Sequence, residues 1–212
     1  MLAATDAEGG LSDAELRDQT MTLFLAGHET TALALTYALR LLSLHPGVAE
    51  RARREVRHVV GNRLPRLADL PELTFTRAVL DETLRLFPPA WALARVSLED
   101  STLGEYACRA GTEVVIAPWV MHRDQRFFTR PELFTPERWL RKPELPRCVY
   151  MPFGAGPRVC IGNHFALTEA LLVLAVFLKC GDFHLQNGPL LKLSPAVTLR
   201  PSGPVPMRFE QH

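Results

Sequence analysis

The chain has 212 residues, 47% of them hydrophobic, with 24 basic and 23 acidic side chains and a net charge of +1. That is enough apolar material to bury the core of one or two domains, and the charge balance excludes a polybasic surface for nucleic acid or membrane. Its four cysteines (Cys108, Cys148, Cys160, Cys180) lie far apart with no CxxC pair, which argues against a zinc site or a disulfide framework and fits a reducing compartment.

Residues 1–11 are polar around Gly9-Gly10 and read as the end of a loop. No basic segment precedes an apolar run there, so no signal peptide is expected and the location reads as cytoplasmic. Ser12-Asp13-Ala14-Glu15 is a capping box. It predicts a helix from about Asp13 to Leu44, stopped by His45-Pro46-Gly47 and roughly 48 Å long at 1.5 Å per residue. The stretch Met21 to Leu44 is apolar on nearly all faces, but His28, Glu29 and Arg40 interrupt it, so a core helix fits better than a membrane span. In its middle, Ala26-Gly27-His28-Glu29-Thr30-Thr31 collects weak helix formers; Gly27 costs about 1 kcal/mol there, and threonine hydroxyls can bond back to the preceding turn and distort the helix. Either a kinked core helix or a functional site would look like this. A zinc HExxH motif is excluded because position 32 is Ala.

Val48 to Val60 is a charged amphipathic helix with a solvated face, and residues 61–70 form a loop. A further helix is expected from near Pro71 to Phe87, ended by Pro88-Pro89. It carries Glu82 and Arg85 at i, i+3, bracketed by Leu80, Leu84 and Leu86, which suggests partial burial and a structural role for the pair. Leu93–Val96, Glu105–Cys108 and Glu113–Ala117 read as strands of one small antiparallel sheet. Met121 to Pro136 reads as a short helix plus loop, Phe165 to Leu178 as an apolar helix, and residues 182–212 as short strands or hairpins. The whole is mainly α with small β-sheets, an α+β chain.

The chemistry concentrates at Phe153-Gly154-Ala155-Gly156-Pro157-Arg158-Val159-Cys160-Ile161-Gly162. A cysteine in a glycine-rich turn at a helix start meets free N–H groups and the positive end of the helix dipole, and Arg158 adds to this. The glycines let the backbone take positive φ and a flat ligand approach closely. On these grounds Cys160 is a nucleophile or a metal ligand. A cysteine hydrolase using His164 fits only locally, since a His four residues on in a helix aligns poorly and no third orienting residue is evident.

Taken together, these motifs resemble the cytochrome P450 family from about Leu11 to Pro201. Ala26–Thr31 is similar to the family's oxygen-binding helix, Glu82-Thr83-Leu84-Arg85 to its E-x-x-R helix, and Pro136-Glu137-Arg138-Trp139 to its P-E-R-F segment with Trp for Phe. Phe153–Gly162 fits F-x-x-G-x-R-x-C-x-G at every defined position. The resemblance implies that Cys160 is the proximal thiolate ligand of heme b and so of its iron. It implies that Arg95 and Arg158 reach the propionates, that Phe153 packs by the thiolate, and that Gly156 and Gly162 give the loop room. Glu82, Arg85 and Arg138 would form an ion network behind the loop, and Glu29 and Thr30 an acid–alcohol pair guiding protons to dioxygen. Phe24, Leu25, Ala26 and Ala90–Leu93 would face the substrate.

The implied activity is that of a heme-thiolate monooxygenase, an oxidoreductase inserting one oxygen atom from O2 into an apolar small molecule. No flavin, NAD(P) or iron–sulfur motif is present, so a ferredoxin or flavoprotein reductase would supply electrons, with Arg123, Arg126, Lys142 and Arg147 as candidate contacts. No nucleic acid partner and no membrane segment are expected. A full domain of this family is about twice this length; residues 1–212 therefore read as a partial domain, its C-terminal half, with the part that roofs the pocket absent. One flank of the long helix would then face water, exposing an apolar area above a few hundred Å2. The alternative is a truncated, non-catalytic remnant that binds heme weakly or not at all.

Overall fold

The computed structural model describes residues 5–6, 9–141, 143–186, 188 and 190–212. Strands β1 (Thr5–Asp6) and β2 (Gly9–Gly10) pair antiparallel where the sequence suggests only a loop. The capping box then forms as expected. The Ser12 N–H donates to the Glu15 carboxylate at 2.9 Å, and the Glu15 N–H donates to the Ser12 hydroxyl at 3.3 Å. Helix α1 (Asp13–Leu44) runs 32 residues without a break to the predicted stop. Gly27 and the threonines do not interrupt it: the Thr30 hydroxyl donates to the Ala26 carbonyl at 2.8 Å and stays within the helix's own turn.

The two halves of α1 differ. From Thr31 onward it is core, with Ala34, Tyr37, Ala38, Leu41 and Leu42 buried. Earlier, Met21, Leu23, Phe24 and Leu25 are 45–65% exposed, so the apolar flank does face water. Helix α2 (Pro46–Val60) opens with proline at its first turn, where the missing N–H costs nothing. Ala52, Val56 and Val60, one turn apart, point inward. Its charged face is less solvated than the sequence suggests: Arg53 is buried and paired with Glu50 and Asp182, and Arg51 lies 3.9 Å over the Phe75 ring.

A 3-10 turn, Leu67–Glu72, occupies the region where the next helix was expected to start, and α3 (Thr74–Leu86) begins after it. The start is fixed from outside. Glu55 of α2 accepts the N–H groups of Phe75 and Thr76 at 2.7 Å each, acting as a cap from another helix. Strands β3 (Leu93–Val96), β4 (Ser101–Leu103), β5 (Tyr106–Cys108) and β6 (Glu113–Ile116) make two separate antiparallel ladders, β3–β6 and β4–β5, rather than one sheet. The expected short helix after Met121 lies just before it as α4 (Pro118–Met121), again opened by a proline. Residues 122–136 are turns pinned by buried Phe128 and Phe134, followed by α5 (Glu137–Leu140).

Helix α6 (Asn163–Cys180) buries Ala170, Leu171, Leu174, Ala175 and Leu178 against α1, α2 and α3, forming one core cluster with Leu41, Val56, Val79 and Leu80. By length and apolarity α6, and α1 with α2 as a pair bent by 114°, meet the requirement for a membrane span, as core helices of globular proteins also do. The chain ends in β7 (Gly181–Leu185), β8 (Leu193–Pro195), β9 (Leu199–Pro201) and β10 (Met207–Gln211), paired β7–β10 and β8–β9. The result is mainly α with small antiparallel ladders.

The β8–β9 hairpin is fastened to α1. Buried Tyr37 donates its hydroxyl to the Leu199 carbonyl at 2.7 Å and stacks on Phe87 at 4.8 Å, while the Leu199 N–H donates to the Pro89 carbonyl at 2.9 Å. Tyr37→Phe removes one buried hydrogen bond and is expected to cost about 1 kcal/mol, read by urea denaturation, with the hairpin amides exchanging faster than those of α3.

Candidate heme-thiolate site

The cysteine loop is built by its own backbone. The Gly154 N–H donates to the Met151 carbonyl at 3.0 Å, the Val159 N–H to Gly156 at 3.1 Å and the Cys160 N–H to Phe153 at 2.9 Å, closing Phe153–Cys160 into a compact turn. Gly154 and Gly156 both sit at φ +74°, the left-handed region that side-chain-bearing residues avoid. The Cys160 thiol is free and exposed. Helix α6 starts three residues later, and a Cβ added at Gly162 would lie 3.9 Å from Cys160 Sγ, so the sulfur stands beside the positive helix end. His164 is exposed, and its N–H is taken by Asn163 Oδ1 at 2.5 Å.

Above this loop lies a cavity of about 720 Å3 with mostly apolar walls. Three parts of the chain meet in it. From α1 come Leu23, Ala26, Gly27, Thr30, Thr31 and Ala34, one face at helical spacing. Leu80 and Leu84 of α3, with Pro89, Ala90 and Leu93, form a second wall, and Phe153, Arg158, Cys160, Ile161 and Phe165 the floor. Gly27 is informative: no protein atom lies within 4 Å of a Cβ built there, so packing against the described residues does not require glycine. A position kept small at about 1 kcal/mol of helix stability, facing an empty wall, reserves room for something in the cavity.

Behind the loop the Glu82 carboxylate gathers five donors. Arg85 gives two N–H groups at 2.8 and 2.9 Å; the Thr135 N–H, Arg138 Nε and Trp139 Nε1 follow at 2.9, 3.0 and 2.9 Å. Glu82 and Arg85 have no exposed side-chain surface, well beyond the partial burial suggested by the sequence. Arg85 also donates to the carbonyls of His122 at 2.8 Å and Leu133 at 3.2 Å. His122, fully buried, accepts the Met151 N–H on Nε2 at 3.0 Å, which fixes the neutral ring with its proton on Nδ1. Burial pushes its pKa down to about 4, and the Arg85 and Arg123 cations act in the same direction. Tyr150 bonds Asp81 and packs at a tilt against Trp139, ring centroids 4.4 Å apart; burial raises both the Tyr150 hydroxyl and the Asp81 carboxyl. Glu82 thus reaches the cysteine loop through Trp139, Tyr150 and Met151.

A family model described as Cytochrome P450 matches residues 1–206. Cyclooctatin synthase of Streptomyces melanosporofaciens is 46% identical over 92% of this chain and 43% of its own length. Cyclooctat-9-en-7-ol 5-monooxygenase of the same organism is 42% identical over 78% of this chain and 37% of its own. Putative cytochrome P450 132 of Mycobacterium tuberculosis is 40% identical over 92% and 43%. The chain belongs to the cytochrome P450 family. It spans less than half the length of these relatives.

The P450 family implies a heme-thiolate iron cofactor, and the residues present fit one. Among the described residues no group of three or more His, Cys, Asp or Glu could hold a bare ion. A lone thiol on the floor of an apolar cavity suits a metal already carried by a flat macrocycle. Arg158 lines that cavity; Arg95 is exposed on β3, donates to the Ala94 carbonyl at 2.7 Å and is not a lining residue. Gly156 shapes the turn without lining the cavity, whereas Gly154 does line it. Of the expected substrate-facing residues Ala26, Ala90 and Leu93 line it, while Phe24 and Leu25 point to solvent and Leu23 takes their place. Glu29 does not line the cavity; Arg200, 171 residues away, holds it at 2.5 and 2.9 Å. Arg123 is no free surface cation: it lies 3.4 Å over Trp119 and donates to the Leu86 carbonyl at 2.6 Å. Arg126 pairs with Asp124, Arg147 is exposed, and Lys142 lies outside the described residues.

Sequence reasoning missed Trp139 as a donor, although tryptophan in the P-E-R-F segment supplies an N–H that phenylalanine lacks. It also missed Arg200, for which no local signal exists. Glu82→Ala leaves the buried Arg85 cation unpaired and is expected to cost about 3–5 kcal/mol in chemical denaturation. For His122 the folded pKa lies below the unfolded one, so the unfolded chain binds the extra proton. Stability is then full above about pH 6.5 and falls by up to about 3 kcal/mol as pH drops toward 4. His122→Gln, which keeps an acceptor for Met151 and does not titrate, should flatten that part of the stability–pH curve.

Proposed function

We propose that this chain forms the heme-thiolate side of a P450 monooxygenase that inserts one oxygen atom of O2 into an apolar organic substrate. A single observation carries the reading: Cys160 and the Thr30 face of α1 line one apolar cavity, with Gly27 leaving space between helix and loop. Cys160 would hold heme b through its thiolate, and the bound group would supply the oxygen activation. The protein's own residues then have separable tasks. Phe153, Gly154 and Gly162 shape the floor beside the sulfur. Arg158, and Arg95 from the adjoining ladder, are the cations for the propionates, a role suited to the guanidinium fork.

Thr30 presents its hydroxyl at the cavity wall while donating to Ala26, so its lone pairs are free to accept a proton donor from the Glu29 side of the helix. Leu23, Ala26, Ala90 and Leu93 make a wall that selects hydrocarbon surface. The relative named for cyclooctat-9-en-7-ol 5-oxygenation acts by its name on an alcohol of hydrocarbon type, and that class matches this wall. Electrons come from a separate ferredoxin or flavoprotein reductase, with Arg126 and Arg147 as the remaining described candidates for its contacts.

A second reading, a chain that binds heme weakly or not at all, is favoured by the exposure of apolar side chains on the cavity floor: Phe165 73% and Ile161 90%. The carbon monoxide difference spectrum of the reduced chain, purified and supplied with heme, separates the two. A Soret band at the thiolate position, lost in Cys160→Ser while the helical circular dichroism stays, is the expected result. A soluble, folded wild-type chain with no such band selects the second reading.

A further inference from the structure

A second cavity, of about 280 Å3, lies between the end of α1, the start of α2, the end of α6 and β7. It shares no lining residue with the thiol cavity. Helix α6 puts Phe165 in the first and Phe177 in the second, about 18 Å apart along its axis at 1.5 Å per residue. Leu39, Leu42, Ala49, Phe177, Leu178 and Phe183 give the second cavity a hydrocarbon and aromatic lining. One polar cluster, built on Arg53, interrupts it; Arg53 is only 8% exposed. Its two Nη groups are given to Glu50 and Asp182, and His212 Nε2 lies 2.9 Å from the other oxygen of Asp182. The cluster is not fully paired. Arg53 Nε is a buried donor with no acceptor among the described residues, a state that folded proteins rarely leave unfilled. Ser43, also in the wall, accepts the Leu185 N–H at 2.8 Å, and its own O–H has no acceptor among the described residues. Glu50 Oε1 has only the exposed Arg54, 4.0 Å away. One small cavity therefore presents two unfilled donors and one underused acceptor.

The chemistry of an occupant follows from this inventory. Glu50 and Asp182 oppose an anion, Arg53 and Arg54 oppose a cation, and the four charges cancel. A hydroxyl is neutral and carries both a donor and an acceptor on one atom. Size sets the rest: a cavity of about 150 Å3 holds benzene, so this one takes about eleven non-hydrogen atoms. We propose that this cavity is a second small-molecule site, for a neutral alcohol on a compact hydrocarbon or aromatic body. The hydroxyl oxygen accepts from the unfilled donors of Arg53 and Ser43, and its proton goes to Glu50. The body packs against Phe177, Phe183 and the leucines, where apolar surface leaves water. Neither the thiol nor a heme takes part, so the site stands independently of the reaction proposed above.

Titration of the full chain with 2-phenylethanol, ethylbenzene and 2-phenylethylamine, followed by NMR of the leucine methyl groups, tests this. The three probes share one shape and differ in the polar group. 2-Phenylethanol should shift the Leu39, Leu42 and Leu178 signals saturably and bind about tenfold tighter than ethylbenzene, which leaves the polar cluster unfilled. The charged amine should bind more weakly than the alcohol. Ala49→Phe, which fills the cavity from a partly buried wall position, should abolish these shifts and leave any at Leu23, Leu80 and Leu93 of the thiol cavity unchanged. Arg53→Met keeps the bulk without the donor and should bring alcohol and ethylbenzene to equal affinity. Should circular dichroism show that Arg53→Met does not fold, Ala49→Phe and the comparison of probes decide. Four results each overturn the proposal: no saturable shift at Leu39, Leu42 and Leu178; equal affinities of alcohol and ethylbenzene in the wild type; tighter binding of the amine; or alcohol binding that survives Ala49→Phe.

Discussion

A carboxylate with no exposed surface is the constraint on which the rest of this structure depends. Taking Glu82 and Arg85 out of water costs several kcal/mol per ion, and their mutual attraction offsets this only if every remaining hydrogen-bonding position is filled. Five donors fill those on Glu82, and they come from three places in the sequence: Arg85 on its own helix, Thr135 in the turn region, and Arg138 with Trp139 on the short helix α5. Each of these segments is too short or too irregular to hold its own position. The four-residue α5 has no buried residue of its own. The buried charge acts as a common fixed point for pieces with little regular structure among them.

The cysteine loop inherits its position from that point. Trp139 bonds Glu82 and packs against Tyr150, and Met151 bonds the ring of a histidine whose carbonyl is held by Arg85. Two residues further on, Phe153 begins the turn that closes on Cys160. An exposed loop containing two left-handed glycines would otherwise have wide conformational freedom. Anchoring its entry in a dry, fully paired network and its exit in the first turn of α6 leaves only the middle to the glycines, and that middle carries the thiol. Rigid attachment at both ends limits the positions the thiol can take.

The parts of this architecture visible in the sequence are those encoded by neighbours. Ser12 with Glu15 starts α1 at the expected residue, the Pro46-Gly47 stop ends it, and Leu93–Val96 needs no correction as a strand. The cysteine loop was legible because nearly all its bonds are local. Errors arose where the deciding partner is distant. The α3 start depends on Glu55, some twenty residues earlier, and the burial of Arg53 on Asp182, 129 residues later. The two ladders in place of one sheet reflect tertiary pairing, to which strand propensity is blind. Arg200 shows the limit most clearly: nothing near it marks it, and its partner is at the other end of the chain.

Helix α1 shows how one element meets conflicting demands. Its second half is a core helix, with Tyr37, Ala38 and Leu41 buried, and there the sequence uses good helix formers. The stretch around Gly27 and Thr30 uses poor ones, and the structure shows what is gained. Glycine keeps the cavity wall free of a side chain, although a Cβ there would meet no protein atom within 4 Å, and Thr30, which also lines the cavity, keeps its hydroxyl tied to the Ala26 carbonyl. The helix remains continuous because the cost, about 1 kcal/mol at the glycine, is spread over an element of 32 residues fixed at one end by its cap and at the other by the core. A shorter helix could not carry both the weak stretch and the buried one. The weakest helix former of α1, Gly27, and its neighbours Thr30 and Thr31 stand where the helix lines the cavity.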